Sequence, residues 1–151
     1  RIEGKRFLPT YYSDGVVALS GYTRQEANPL THTMEDYLEM ICRLAQKSGV
    51  VRINELAAEL HVKPSSASKM VYHLREAGFL DFQKYGYIVP TGLGKQTGDY
   101  LLYRHEVLHR FLCLLNHSEN ELEQVEKIEH FLNKNTIDHL AELTRKILSF
   151  N

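Results

Sequence analysis

Between Arg52 and Val89 the sequence reads as two short helices joined by a tight corner and then a hairpin, an order that few folds accommodate. Arg52 to Leu60 is short and amphipathic, with Asn54 the expected cap. His61-Val62-Lys63 makes the corner, and Pro64 stands at a first helical position, where its missing N–H costs nothing. The spacing of Ala67, Met70, Val71 and Leu74 predicts a helix from Pro64 to Ala77 that Gly78 ends. Phe79-Leu80-Asp81-Phe82 and Tyr85-Gly86-Tyr87-Ile88-Val89 are then strand-like runs, with Gln83 and Lys84 at the turn between them. Helix, tight turn, helix and hairpin together make the arrangement of a DNA reader with a wing.

The flanks are helical. Thr33 is the expected cap of a helix in which Met34, Tyr37, Leu38, Ile41, Leu44 and Ala45 recur on one face, and Gly49 stops it. A long helix is expected from about Leu93 to Leu114, and Glu119 to Phe150 reads as two more, separated near Leu132 to Thr136. The fold class is therefore mainly α with a small β-hairpin wing. Residues 1–30 read differently, as short apolar pieces around Ser13-Asp14-Gly15, either a small hairpin or an arm.

Bulk properties exclude more than they select. No apolar run approaches the roughly eighteen residues that cross a bilayer, and Arg1 to Phe7 has no apolar stretch behind it, so neither a membrane span nor a secretory leader is expected. Cys42 and Cys113 lie far apart inside apolar helical patterns, as small hydrophobes rather than a disulfide. A cytoplasmic location follows as an expectation. Net charge is -1, but Arg43 to Arg104 carries nine Lys/Arg against five Asp/Glu, while both flanks are acidic. Such a distribution suits a chain that meets phosphate with its middle and cations elsewhere.

A helix enters the major groove only with a polar exposed face and a start free of bulk. Lys63, Pro64, Ser65, Ser66, Ser68 and Lys69 supply that face, Tyr72 lies further along, and Lys84 stands at the wing tip. A serine-rich, merely solvated helix start is the bland alternative; the neighbouring helix and wing weigh against it.

Three groups of metal-ligand type stand on expected helices. Asp36 and Glu39 share one face, Glu126, Glu129 and His130 form E-x-x-E-H with i, i+3, i+4 spacing, and His105 sits in the long helix. Carboxylates and imidazoles without thiolate suit Mn²⁺, Fe²⁺ or Zn²⁺, and the excess of carboxylate leans toward manganese. Acidic pairs on helices are usually solvated, and spacing alone does not bring the three groups together.

His32 to Glu39, Lys63 to Val71, Tyr103-Arg104-His105-Glu106 and Val125 to His130, taken together and in this order, resemble the manganese transport regulator branch of the diphtheria-toxin-repressor family. The likeness runs from about His32 to the C-terminus. It implies a winged helix-turn-helix domain over residues 31–92 and a helical metal-binding and dimerisation domain over 93–151, with residues 1–30 an extension of unknown role. It also implies a homodimer on palindromic double-stranded operator DNA and a dinuclear site formed by Asp36, Glu39, His105, Glu126, Glu129 and His130. Carboxylates at positions 36 and 126, where the iron-responding branch has Met and Cys, agree with Mn²⁺ as co-repressor, with Fe²⁺, Zn²⁺ or Co²⁺ as other candidates. The expected protein is a repressor of metal homeostasis with no catalytic residues, no small-molecule substrate and no membrane partner. Two rivals stand beside it. One is a winged-helix regulator answering to Fe²⁺/Zn²⁺ or an organic effector. The other is a metallohydrolase, disfavoured because no H-E-x-x-H or nucleophile motif occurs.

Overall fold

The computed structural model describes residues 30–150, and His32 onward forms one compact unit. The expectations for residues 1–29, including the small hairpin or arm, lie outside the described residues. Helix α1 spans His32–Ser48 and buries Met34, Tyr37, Leu38, Ile41, Cys42 and Leu44, the stripe its spacing predicts. It begins before Thr33, so Thr33 lies in the first turn rather than capping it.

Strand β1 (Val51–Arg52) follows, then α2 (Ile53–Leu60) and α3 (Pro64–Glu76). Asn54 does not cap α2. Arg52 occupies that position, because Val51 and Arg52 are drawn into a sheet opposite Ile88 and Tyr87. The Arg52 guanidinium lies 4.4 Å from the Tyr87 ring centre and donates to its hydroxyl at 2.6 Å. His61 ends α2 in the left-handed conformation, its N–H bonded back to the last turn, and this makes the corner before Lys63 and Pro64.

Strands β2 (Leu80–Phe82) and β3 (Tyr87–Pro90) pair antiparallel, giving a three-stranded sheet in the order β1-β3-β2. The hairpin turn is longer than the sequence suggests. Lys84–Gly86 form one turn of 3₁₀ helix, with Tyr85 and Gly86 both at positive φ, so Tyr85 belongs to the wing tip and not to a strand.

Helix α4 (Gly92–Asn116) starts where the Thr91 side chain accepts from the Gly94 N–H. It crosses α1 closely, where a Cβ on Gly98 would overlap the Cys42 sulfur, and it also lies close to the chain entering β2, where one on Gly94 would overlap the Phe79 carbonyl. Helices α5 (Leu122–Ile128) and α6 (Lys134–Ser149) close the fold. Val107, Leu108, Leu112, Val125 and Ile137 form their shared core with α4. Between α5 and α6 lies a 3₁₀ turn, Glu129–Phe131, several residues earlier than the expected break. Glu126, Glu129 and His130 therefore do not share one helical face. The E-x-x-E spacing satisfies helical periodicity, but the backbone tightens after Ile128 and turns Glu129 inward.

Candidate metal centre and nucleic-acid face

The close crossing of α1 and α4 sets the site. Asp36 and Glu39, one turn apart on α1, face His105 on α4 and the 3₁₀ turn carrying Glu129 and His130. Ligand-type atoms of Asp36, Glu129 and His130 lie within 4.8 Å of one another, as do those of Glu39, His105 and Glu129. Glu129 is common to both groups and is 2% exposed. Five of the six expected ligands thus converge. Glu126 is exposed on α5 and belongs to neither group.

His130 Nε2 stands 2.9 Å from Asp36 Oδ1, and its Nδ1 stands 2.9 Å from Glu35 Oε1. Asp36 first and Glu35 second raise this imidazole to about 9, since both carboxylates favour its charged form. His105 Nδ1 lies 3.4 Å from Glu129 Oε2 and 3.8 Å from Glu39 Oε2. The Glu129 carboxylate raises His105 above the usual imidazole range against the opposing effect of burial. Burial, reinforced by the Glu129 charge, raises Glu39.

Two buried atoms at the centre, His105 Nδ1 and Glu129 Oε2, make no hydrogen bond despite their proximity. Their charges face each other at 3.4 Å, but a buried polar atom left without a hydrogen bond costs about 1–3 kcal/mol. A divalent cation between them would satisfy both, and the all-oxygen-and-nitrogen donor set matches hard-to-borderline ions. The residues fit a metal.

Sequence reasoning passed over three residues around this centre. Glu35 bonds the far side of His130, and Arg104, 4% exposed, reaches Glu35 at 3.4 Å. His32 stacks on the His130 ring, with centroids 4.7 Å apart and planes 11° from parallel. Arg104 carries a signal that was there to be read. It shares the stripe of Leu101 and Leu108, and a charge on a buried helix face demands a partner. Glu35 and His32 carry no comparable mark.

The predicted DNA-reading residues Lys63, Pro64, Ser65, Ser66, Ser68, Lys69, Tyr72 and Lys84 are all exposed. Ala67, Val71 and Leu74 hold α3 down from beneath. No side chain caps the start of α3, so its exposed first turn offers uncapped backbone amides.

Residues 29–88 match the family described as iron dependent repressor, N-terminal DNA binding domain. The chain is 42% identical over 114 residues to the HTH-type transcriptional regulator MntR of Oceanobacillus iheyensis, covering 75% of this chain and 78% of that protein. It is 40% identical over 116 residues to the MntR regulator of Bacillus subtilis, covering 76% and 82%. Among solved structures it is similar to the manganese regulator SloR, with a TM-score of 0.67 and 21% identity over 77% of this chain. The metal-dependent transcriptional regulator MtsR gives 0.66 and 23% over 81%. The matched region spans just over half of those two chains, 55% and 56%, and at such identity the likeness is one of fold.

Proposed function

From the membership of this chain in the iron-dependent-repressor family, alongside the MntR regulators, we propose that it is a metal-dependent DNA-binding transcriptional repressor of metal homeostasis, with Mn²⁺ the favoured co-repressor. It is a regulator and not an enzyme. The observation that carries the reading is the pair of donor groups sharing Glu129 and joining α1 to α4 and the 3₁₀ turn.

In this reading the site holds two ions. Asp36, Glu129 and His130 make the first position, which Glu126 completes by turning in from α5. Glu39, His105 and Glu129 make the second. When bound, the cations supply the positive charge that lets four carboxylates share one small volume. In their absence the gathered carboxylates Asp36, Glu39 and Glu129 lack that compensation, and α1 would be held less firmly to α4. Residues 31–92 act as the DNA-reading domain and 93–151 as the helical metal-binding and dimerisation domain. Two copies present their α3 helices to successive major grooves of a palindromic operator, and Lys84 of each wing touches the flanking backbone. Metal and operator then strengthen each other's binding by the same factor. A cytoplasmic location accords with this role, and no helix among the described residues is long and apolar enough to cross a membrane.

Glu129 provides the test. Calorimetric titration of the native chain with Mn²⁺ should give two ions per chain. Glu129→Ala should weaken both positions at once, and Glu126→Ala only the first. Loss of a single position in Glu129→Ala would contradict a shared ligand. Activation of DNA binding by chelator-treated protein on addition of a small organic molecule instead of a metal would favour the organic-effector reading.

A further inference from the structure

Resting on the metal-site reading above, we propose that Glu35, with its charge balanced by Arg104, is a positioning residue that grips His130 by Nδ1 and so reserves Nε2 for the first metal position.

Glu35 and Asp36 are adjacent in sequence and about 100° apart around α1. They bracket the His130 ring from its two nitrogens, each at 2.9 Å. Arg104 Nη2 also comes within 3.3 Å of Nδ1. An Nδ1–H cannot donate to Glu35 while its nitrogen accepts from Arg104, so one of these contacts is not a hydrogen bond. A carboxylate only accepts and a guanidinium only donates. The arrangement that satisfies the most groups has Nδ1–H donating to Glu35 Oε1 and Arg104 Nη1 donating to Glu35 Oε2. The lone pair for a ligand is then confined to Nε2, on the side of Asp36 and Glu129. A hydrogen bond at one imidazole nitrogen is the usual means of choosing the other for metal.

Arg104 has a second part in this. Glu35 is 13% exposed and adds a further carboxylate to a crowded acidic site. Without a cation beside it, Glu35 would compete as a ligand or repel its neighbours. The buried guanidinium makes it an acceptor for His130 instead. His32 covers one face of the ring and limits its rotation. The three elements that metal would tie together, α1, α4 and the 3₁₀ turn, are the ones Glu35, Arg104 and His130 already link.

The test uses full-length chain with ¹⁵N-labelled histidine, loaded with Zn²⁺ as a diamagnetic probe, and two variants, Glu35→Gln and Glu35→Ala. Long-range ¹H–¹⁵N correlation spectra of the native protein should show His130 metal-bound at Nε2 and protonated at Nδ1. Glu35→Gln, whose amide oxygen still accepts, should keep that pattern, whereas Glu35→Ala should lose the slowly exchanging Nδ1 proton. Calorimetry with Mn²⁺ should show the first position weakened about 10–100-fold in Glu35→Ala. The second should be unchanged, and Glu35→Gln should restore most of the loss. Thermal melts of chelated protein keep the comparison to folded variants. Equal weakening of both positions, or an unchanged first position and Nδ1 proton in Glu35→Ala, overturns the positioning role while leaving the metal site standing. Failure of the native chain to bind either ion overturns both.

Discussion

Replacing Gly98 with Ala should loosen the crossing of α1 and α4, and the structure indicates by how much. The added methyl would overlap the Cys42 sulfur and lie 2.9 Å from the Cys42 Cβ. Cys42 is 5% exposed, and its thiol is directed at the Gly94 carbonyl, so it has little room to turn aside. Overpacking of this kind costs about 1–3 kcal/mol, against about 1 kcal/mol recovered by removing a glycine from a helix interior. A net destabilisation of up to about 2 kcal/mol follows, readable as a lower urea midpoint at unchanged slope in chelated protein. In Cys42→Ala/Gly98→Ala only the tight Cβ–Cβ approach remains, which a shift of a few tenths of an ångström relieves. The double variant should therefore recover much of the loss, with a coupling of about 0.5–3 kcal/mol. The same crossing lies one turn from Glu39 and two turns from His105, so Mn²⁺ affinity should fall in Gly98→Ala and return in the double variant. A Gly98→Ala protein as stable as the native one, with no coupling to Cys42, would refute this account of how the site is assembled.

Four further outcomes are expected. Because His130 titrates near 9 in the metal-free protein and must give up its Nε2 proton to a metal, Mn²⁺ affinity should rise about tenfold per pH unit between pH 7 and 9. Calorimetry in buffers of different ionisation enthalpy should show the proton released, and a flat profile would contradict it. The sign reverses for the metal-free fold. A raised imidazole stabilises below its unfolded value near 6.5, so that contribution should fade as pH climbs through about 9, seen as a falling urea midpoint. Asp36→Met should shift the ratio of manganese to iron activation away from manganese, and an unchanged ratio would count against Asp36 as a selectivity ligand. Lys69→Ala and Lys84→Ala should each weaken binding to all DNA sequences alike and lower the salt slope by about one, whereas loss confined to one operator position would mean base reading instead.

Much of the architecture was legible in residues whose local chemistry agrees with their tertiary role. Pro64 at a helix start, the buried spacing of Ala67, Val71 and Leu74, and the aromatic runs after Gly78 lead to helix, turn, helix and wing. The eight residues read as the DNA-facing set emerge exposed. Strand β1 was not legible, because two residues hold no period and only their pairing with Tyr87 and Ile88 makes them a strand. Tyr85 read as strand because its side chain favours sheets, while the backbone needed a positive-φ pair with Gly86 to close the wing. At the candidate metal centre the acidic and histidine residue types were legible, and the convergence of five of them was not. Helical spacing placed Glu126, Glu129 and His130 on one face, whereas the chain leaves the helix at Ile128 and sends Glu129 into the centre and Glu126 toward solvent. Glu35 was hidden by its neighbour, since adjacent acidic residues in a first helical turn are ordinary at a positive helix end.

The central claim is that metal at the Glu129-sharing site strengthens operator binding. Fluorescence anisotropy with palindromic DNA, titrating chelated protein with Mn²⁺, anaerobic Fe²⁺, Zn²⁺ and Co²⁺ at fixed salt, tests it most directly. The account predicts that Mn²⁺ tightens binding by about tenfold or more, equivalent to about 1.4 kcal/mol of coupling, and that Glu129→Ala abolishes the effect. Equal binding in chelator and in every metal would contradict it.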